Sequence, residues 1–327
     1  MVDSDIIALS KRFCNIVAPS GYEDVLAKEI AEILQTYGYV IKIDAIGNLV
    51  CTMQGQKHMK KIAFMAHMDS APIIINGVDG YNNVYWGSLS KWKSEKINNQ
   101  SIIFVSGATG IAHFSEEGNN CNTISDIKGH IEIGDVGVLT PFFHLENNII
   151  TATFLDDRIG CSILVDVAKK IITSPVEVSF VFTAQEEIGN KGSQIIASHF
   201  EFDEVYVIDT TRTLSQEYKD PVYVVMGGGG CVKICDGFGL CSKKLIEKIQ
   251  HIAAINDIPL QKEVIFRGGS DIGAFSRFGF STLFAGLSIP CVCMHSRHEQ
   301  VCFDDVLGIE NIILEILKNE QCQIITQ

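Results

Sequence analysis

The stretch Lys61-Ile-Ala-Phe-Met-Ala-His67-Met-Asp69 runs apolar and then stops on an imidazole and a carboxylate. Two others behave alike: Val178-Ser-Phe-Val-Phe-Thr-Ala184 ends in Gln185-Glu186-Glu187, and Val205-Tyr-Val-Ile208 ends in Asp209. Short apolar runs of this kind read as strands buried on both faces. In an open α/β sheet, ligands bind beyond the carboxyl ends of such strands. Neighbouring strand ends would deliver a His and several carboxylates into one small volume. That much negative charge repels itself, and divalent cations are the usual compensation. The pattern is that of a two-metal hydrolase.

Two further segments complete the set. Phe154-Leu-Asp156-Asp157-Arg158 places an acidic pair before a helical stripe of Ile159, Ile163, Val167 and Ile171. Thr282 to Ala285 reads as another strand, beyond which Met294-His295-Ser-Arg-His298-Glu299 returns a second imidazole to the site. Singly, each feature has a plain explanation: a half-buried histidine, an N-cap, a solvated glutamate pair. Their joint fall at strand ends and at a helix start favours a metal site.

The chain has 327 residues, enough for one large domain or a domain with an insertion. It has 39 acidic residues against 26 basic ones, a net charge of −13, which argues against nucleic acid or an anionic membrane as partner. No apolar run approaches the length of a membrane span. Met1-Val-Asp-Ser-Asp begins acidic, unlike the basic start of a secretion signal. Eleven cysteines without paired zinc spacing predict free, mostly buried thiols in a reducing cytoplasm.

The first third reads helix, helix, strand, strand, strand. Ser20 and Glu23 have the spacing of a capping box for the second helix. From Pro72 to Ile149 the sequence is rich in Gly, Asn and Ser, with short β-type pieces at Val84–Trp86, Ile102–Val105, His130–Ile133 and Val136–Leu139. That predicts an all-β insertion over 72–149, a small barrel, dividing a catalytic domain made of 1–71 and 150–327. From Ile150 strands and helices alternate, including a strand at Val222–Met226 and a last helix from about Asp304 to Lys318. The fold class is α/β, with a central, mainly parallel sheet flanked by helices.

In their order, His67-Met-Asp69, Asp156-Asp157-Arg158, Gln185-Glu186-Glu187-Ile-Gly189, Asp209 and Met294-His295 resemble the M42 family of metallo-aminopeptidases over nearly the whole chain. Arg267-Gly-Gly-Ser-Asp271 is similar to that family's Gly-Gly-Thr-Asp segment. The resemblance implies an aminopeptidase acting on short peptides and holding two divalent ions, with His67 on one, His295 on the other and Asp156 bridging. Glu187 and Asp209 would be terminal ligands. Glu186 would be the general base on a metal-bridging water, and Asp69 would orient His67. It further implies a cis peptide at Asp156–Asp157, a PDZ-like or barrel dimerisation domain, and a homo-oligomer anywhere from a dimer to a dodecamer. Asp271 and Arg267 are candidates for substrate contact.

The chain departs from the family after Asp69, where Ser70-Ala71-Pro72 replaces Glu followed by Ile/Val-Gly. His and carboxylate ligands without thiolate suit Zn, Co or Mn. Other readings of the same residues are a deacylase acting on non-peptide amides and a non-catalytic metal-binding scaffold. A glycosidase fits less well, since its carboxylate pair needs neither metal nor histidine.

Overall fold

A computed structural model describes residues 5–55, 60–90, 92–115, 122–214, 223–279 and 281–325. The acidic start at Met1 lies outside them. Helices α1 (Asp5–Phe13) and α2 (Asp24–Gln35) lead into strands β1 (Val40–Ile43), β2 (Leu49–Met53) and β3 (Lys61–His67). Next come β4 (Ile73–Val78), β5 (Val84–Gly87), α3 (Ser94–Ile97), β6 (Gln100–Phe104), β7 (Thr109–His113), β8 (Thr123–Lys128) and β9 (Val136–Leu139). The chain continues with β10 (Phe143–Glu146), β11 (Ile149–Ala152), α4 (Leu155–Lys170), β12 (Ile171–Thr173), β13 (Glu177–Thr183), α5 (Lys191–His199) and β14 (Glu204–Arg212). It ends with β15 (Gly230–Asp236), β16 (Gly239–Leu240), α6 (Lys243–Ile255), β17 (Leu260–Val264), α7 (Ile272–Phe278), β18 (Leu283–Val292), β19 (Glu299–Cys302), α8 (Phe303–Asn319) and β20 (Gln323–Ile324).

Among the described residues, twelve strands form one sheet, with the path β1-β2-β13-β3-β14-β18-β19-β11-β10 and β15, β16 and β17 branching from β18. Its middle, β13-β3-β14-β18, is parallel. These strands are buried on both faces, which explains why their sequences run apolar without alternation. Phe64 stacks between Phe180 and Tyr206 in one cross-strand row, with ring centroids 5.8 and 5.2 Å apart. This face packs under α4 and α8 in the main core, and the other face buries Ala63, Met65 and Val207 with Ile272 and Phe275 of α7. Burying side chains of this size is worth roughly 1.5–3 kcal/mol each.

Register fixes where the strands end. His67 lies opposite Thr183, so Glu186 and Glu187 follow just past the edge. Met65 lies opposite Val207, two residues short of His67 and Asp209 respectively. Three adjacent parallel strands therefore open onto one edge of the sheet.

Residues 73–139 close into a six-stranded barrel, β4-β5-β8-β7-β6-β9, around Trp86, Phe104, Ile102 and Val138. The chain leaves the barrel after β9, earlier than the sequence-based limit of 149: β10 pairs with β11 and joins the large sheet. Residues 130–133 form no strand, because Ile133 sits on a turn into Gly134, whose φ is 98°. The neighbouring strand is β8. The strand expected at 222–226 begins outside the described residues, and 223–226 carry none; pairing starts at Gly230. The Ser20–Glu23 capping box does not form. Ser20 Oγ donates instead to Asp69, and Glu23 accepts from the amides of Gly21 and Gln185.

Candidate metal centre

The strand edge gathers five side chains. His67 Nε2 lies 3.2 Å from Asp156 Oδ1 and 3.9 Å from Asp209 Oδ1. His295 Nε2 lies 3.1 Å from Asp156 Oδ2 and 3.7 Å from Glu187 Oε1. Two donor sets result, His67/Asp156/Asp209 and Asp156/Glu187/His295, each with its donor atoms within 4.8 Å of one another. Asp156 belongs to both and offers one oxygen to each imidazole.

The local backbone makes this possible. Asp156 comes two residues after Phe154, which takes a left-handed φ of 69°, and the Asp156–Asp157 peptide is cis. Both aspartates have non-helical dihedrals, so the regular helix of α4 begins after them. Gln185, Cys293 and His295 are also left-handed, at 58°, 59° and 55°. Buried Arg158 ties this region together by donating to the carbonyls of Phe13, Ile16 and Ala18 and to Ser70 Oγ. Ser70, in the segment where the chain departs from the family, thus has a structural partner.

Asp69 is fully buried and accepts from Ser20 Oγ at 2.6 Å and from the amides of Glu186 and Glu187 at 2.9 and 3.1 Å. Its Oδ1 is also 3.4 Å from His67 Nδ1, without closing a hydrogen bond, so that buried nitrogen stays unsatisfied. Glu186 Oε1 accepts from Asn190 Nδ2 at 2.8 Å. Asn190 also donates to Asp271, whose other oxygen takes the Thr183 hydroxyl. Asp271 is thus buried and linked to Glu186 through Asn190. Arg267 is exposed on the segment before α7 and is not among the residues lining the cleft.

Electrostatics make the cluster costly for the protein alone. Burial pushes Glu186 well above the usual carboxylate range, and Asp271, Asp209 and Glu187 add repulsion. Burial and Asp156 raise Asp209 likewise. Burial also acts to raise Asp156, but hydrogen bonds from His295 and His67 outweigh it and hold it low. Glu187, opposed by burial, drives His295 up to about 10. An imidazole nitrogen and a carboxylate oxygen at 3.1–3.2 Å need a proton or a cation between them. With Nδ1 of His67 turned to Asp69, Nε2 is the atom free to offer a lone pair. The donor set therefore fits divalent cations, and its lack of thiolate suits harder ones.

Glu299 closes the Met294–Glu299 segment with no signal of its role in the sequence. Its Oε1 accepts from the His295 amide at 2.7 Å and its Oε2 from the Asp156 amide at 3.1 Å. Burial, reinforced by Asp156, lifts its carboxyl to about 8. Asn190 was also missed, although it directly follows Gln185-Glu-Glu-Ile-Gly189. The cleft beside His295 is lined by Ala71, Trp92, Leu139 and Phe154, two of them from the barrel. A larger polar groove near Lys42, Glu177 and His199 is lined by none of these donors.

The profile of the M42 glutamyl aminopeptidases matches residues 120–312, more than half of the sequence. The chain belongs to the M42 family. It is an aminopeptidase, a hydrolase acting on peptide bonds. Lysyl aminopeptidase of Pyrococcus furiosus is 25% identical, with 97% of this chain and 98% of that protein aligned. The TET1 peptidase of Pyrococcus horikoshii, which can assemble into a tetrahedron or a large octahedral shell, is 26% identical with a TM-score of 0.83, covering 95% and 99% of the two chains. An aminopeptidase from Desulfurococcus kamchatkensis shares the fold at a TM-score of 0.87 and 23% identity over 96% and 94%. No described helix of this M42 chain is long and apolar enough to cross a membrane.

Proposed function

We propose that this M42 chain is a dinuclear, metal-dependent aminopeptidase that removes N-terminal residues from short peptides, with Glu186 as general base. The observation that carries the reading is the pair of donor sets sharing Asp156. His67 and Asp209 would hold one ion, Glu187 and His295 the other, and Asp156 both. Bound divalent cations would supply Lewis acidity there, bringing the pKa of water toward neutrality and polarising the scissile carbonyl. Zn, Co and Mn suit the ligands, with Zn favoured. Glu186, steadied by Asn190 and by its own amide on Asp69, takes the proton of the attacking water and passes it to the departing amine. Asp69 keeps the His67 ring turned toward Asp156. Asp271 steadies Asn190 and through it Glu186.

The chain assembles into a homo-oligomer in which the barrel meets another subunit and narrows entry to the cleft. The likeness to the TET1 peptidase supports this, as do the barrel residues beside His295. Narrow entry suits short, extended peptides. The described cysteines are free thiols, buried except for Cys235 and Cys293, which supports a cytoplasmic setting.

The test is metal content per subunit measured together with hydrolysis of aminoacyl anilides and of N-acyl amino acids. Two equivalents with anilide hydrolysis support the reading. Cleavage of N-acyl amino acids alone would make the enzyme a deacylase, and metal uptake without hydrolysis a scaffold. Sedimentation of a monomer that cuts long and short peptides equally would overturn the assembly argument.

A further inference from the structure

Two bonds from the barrel reach across to segments that carry one half of the centre. Ser90 Oγ donates to the carbonyl of Glu187 at 3.0 Å. Buried Lys96, on α3, donates from Nζ to the carbonyl of Met294 at 2.6 Å, one residue before His295. The His67 and Asp209 segments are tied instead by ladder pairing within the sheet.

These bonds fall where the backbone needs support. Cys293 and His295 both hold left-handed φ without being glycine, as does Gln185 ahead of Glu187. Such conformations persist only when their surroundings over-determine them. A buried ammonium is itself costly unless hydrogen-bonded, and the Met294 carbonyl supplies Lys96 with one such bond. Glu299 holds the His295 amide while Lys96 holds the carbonyl before it, so the peptide linking Met294 to His295 is gripped on both sides.

We infer that Ser90 and Lys96 are positioning residues through which the barrel sets the geometry of the Glu187/His295 half-site, and not of the His67/Asp209 half. The inference rests on the two-cation reading above and goes beyond it: the barrel acts on the centre from within the same subunit, whatever it does between subunits.

The experiment titrates Zn²⁺ into the metal-stripped full-length chain by calorimetry. Wild type, Ser90→Ala/Lys96→Met, Lys96→Arg and, as a barrel control, His113→Ala are compared, the last removing a side chain whose ring nitrogens meet Asn99 and Ser125 within the barrel. The double variant should bind one equivalent as wild type does and the other about 10–100-fold more weakly, the usual effect of losing groups that orient a ligand. Lys96→Arg should recover most of that loss, and His113→Ala should leave both affinities unchanged. Placed on a His295→Ala background, the double variant should cost nothing more, while on His67→Ala it should weaken the remaining equivalent. Two equivalents of unchanged affinity in Ser90→Ala/Lys96→Met overturn the inference alone. A wild-type chain that takes up a single equivalent overturns the two-cation reading and the inference with it.

Discussion

Strand β14 carries a buried carboxylate near each end, and the two are treated differently. At its start Glu204 meets Lys60 at 2.8 Å and Lys248 at 2.9 Å and accepts the Tyr206 hydroxyl. Burial alone would raise its carboxyl, but these partners outweigh it and hold the group below the usual range. Toward the other end Asp209 is pushed well above that range by burial and by Asp156. One end of the strand is neutralised by the chain's own lysines. The other is left acidic, with the His67 imidazole 3.9 Å away. Buried Lys233 also acts to lower Asp209, but its ammonium is paired with Glu263 at 3.1 Å, and it does not outweigh burial and Asp156. The difference marks the acidic end as built for cations from outside.

The strongest way to break this comparison is to remove the group both donor sets share. Asp156→Ala should lower the affinity for both cations and reduce activity by more than any other single change, beyond the roughly 10⁴-fold upper end of a lost general base. Metal analysis of the purified variant checks it. One equivalent retained at wild-type affinity would show that Asp156 serves a single ion.

Glu186→Gln separates binding from chemistry. It keeps the Asn190 contact within reach and removes the basic oxygen, so kcat should fall about 10²–10⁴-fold while metal content stays at the wild-type level. Parallel loss of metal and activity would exchange the roles of Glu186 and Glu187. A smaller effect is expected from Glu299→Gln. An amide can accept only on its oxygen, so either the His295 or the Asp156 amide loses its partner. Metal affinity should drop by about 10–100-fold. Unchanged affinity would mean that the left-handed backbone at His295 holds without this carboxylate.

Much of the sheet-borne half was legible in sequence. His67 and Asp209 stop apolar runs, and a parallel sheet buried on both faces leaves such runs unbroken until its edge. Glu186 and Glu187 were legible for the same reason. The supporting groups were harder to read, because Glu299, Asn190 and Lys96 act on backbone or on one another from turns that carry no periodicity. The Ser20–Glu23 spacing misled because a local cap competes with tertiary partners, and here Asp69 and the Gln185 amide win both side chains. In the barrel, β4 breaks its pattern at Asn76-Gly77 and β8 carries Ser125, Asp126 and Lys128, so neither announces itself as apolar alternation. Strands β5, β6 and β9 were readable from their apolar pieces, while β4, β7 and β8 were not.

The smallest effect tests the neutralised end of β14. In Glu204→Gln, Lys60 and Lys248 keep Glu320, at 2.6 and 3.0 Å, but lose the more deeply buried of their two carboxylates. Hydrogen bonds to charged groups are worth roughly 1.5–3 kcal/mol, and the partial exposure of both lysines places the loss toward the lower figure. Glu204 has a depressed folded-state pKa, so its contribution is fully present above the unfolded carboxylate value and disappears as pH falls through the folded one. Denaturant unfolding of the metal-stripped wild type and variant should therefore differ at pH 7 and converge as acidification carries the wild type through the lowered folded-state value of Glu204. The stripped state keeps ligand binding out of the measurement, and metal affinity of the variant should match wild type. A difference that stays constant down to acid pH would mean that packing rather than charge holds this end of the strand, and the contrast with Asp209 would lose its electrostatic basis.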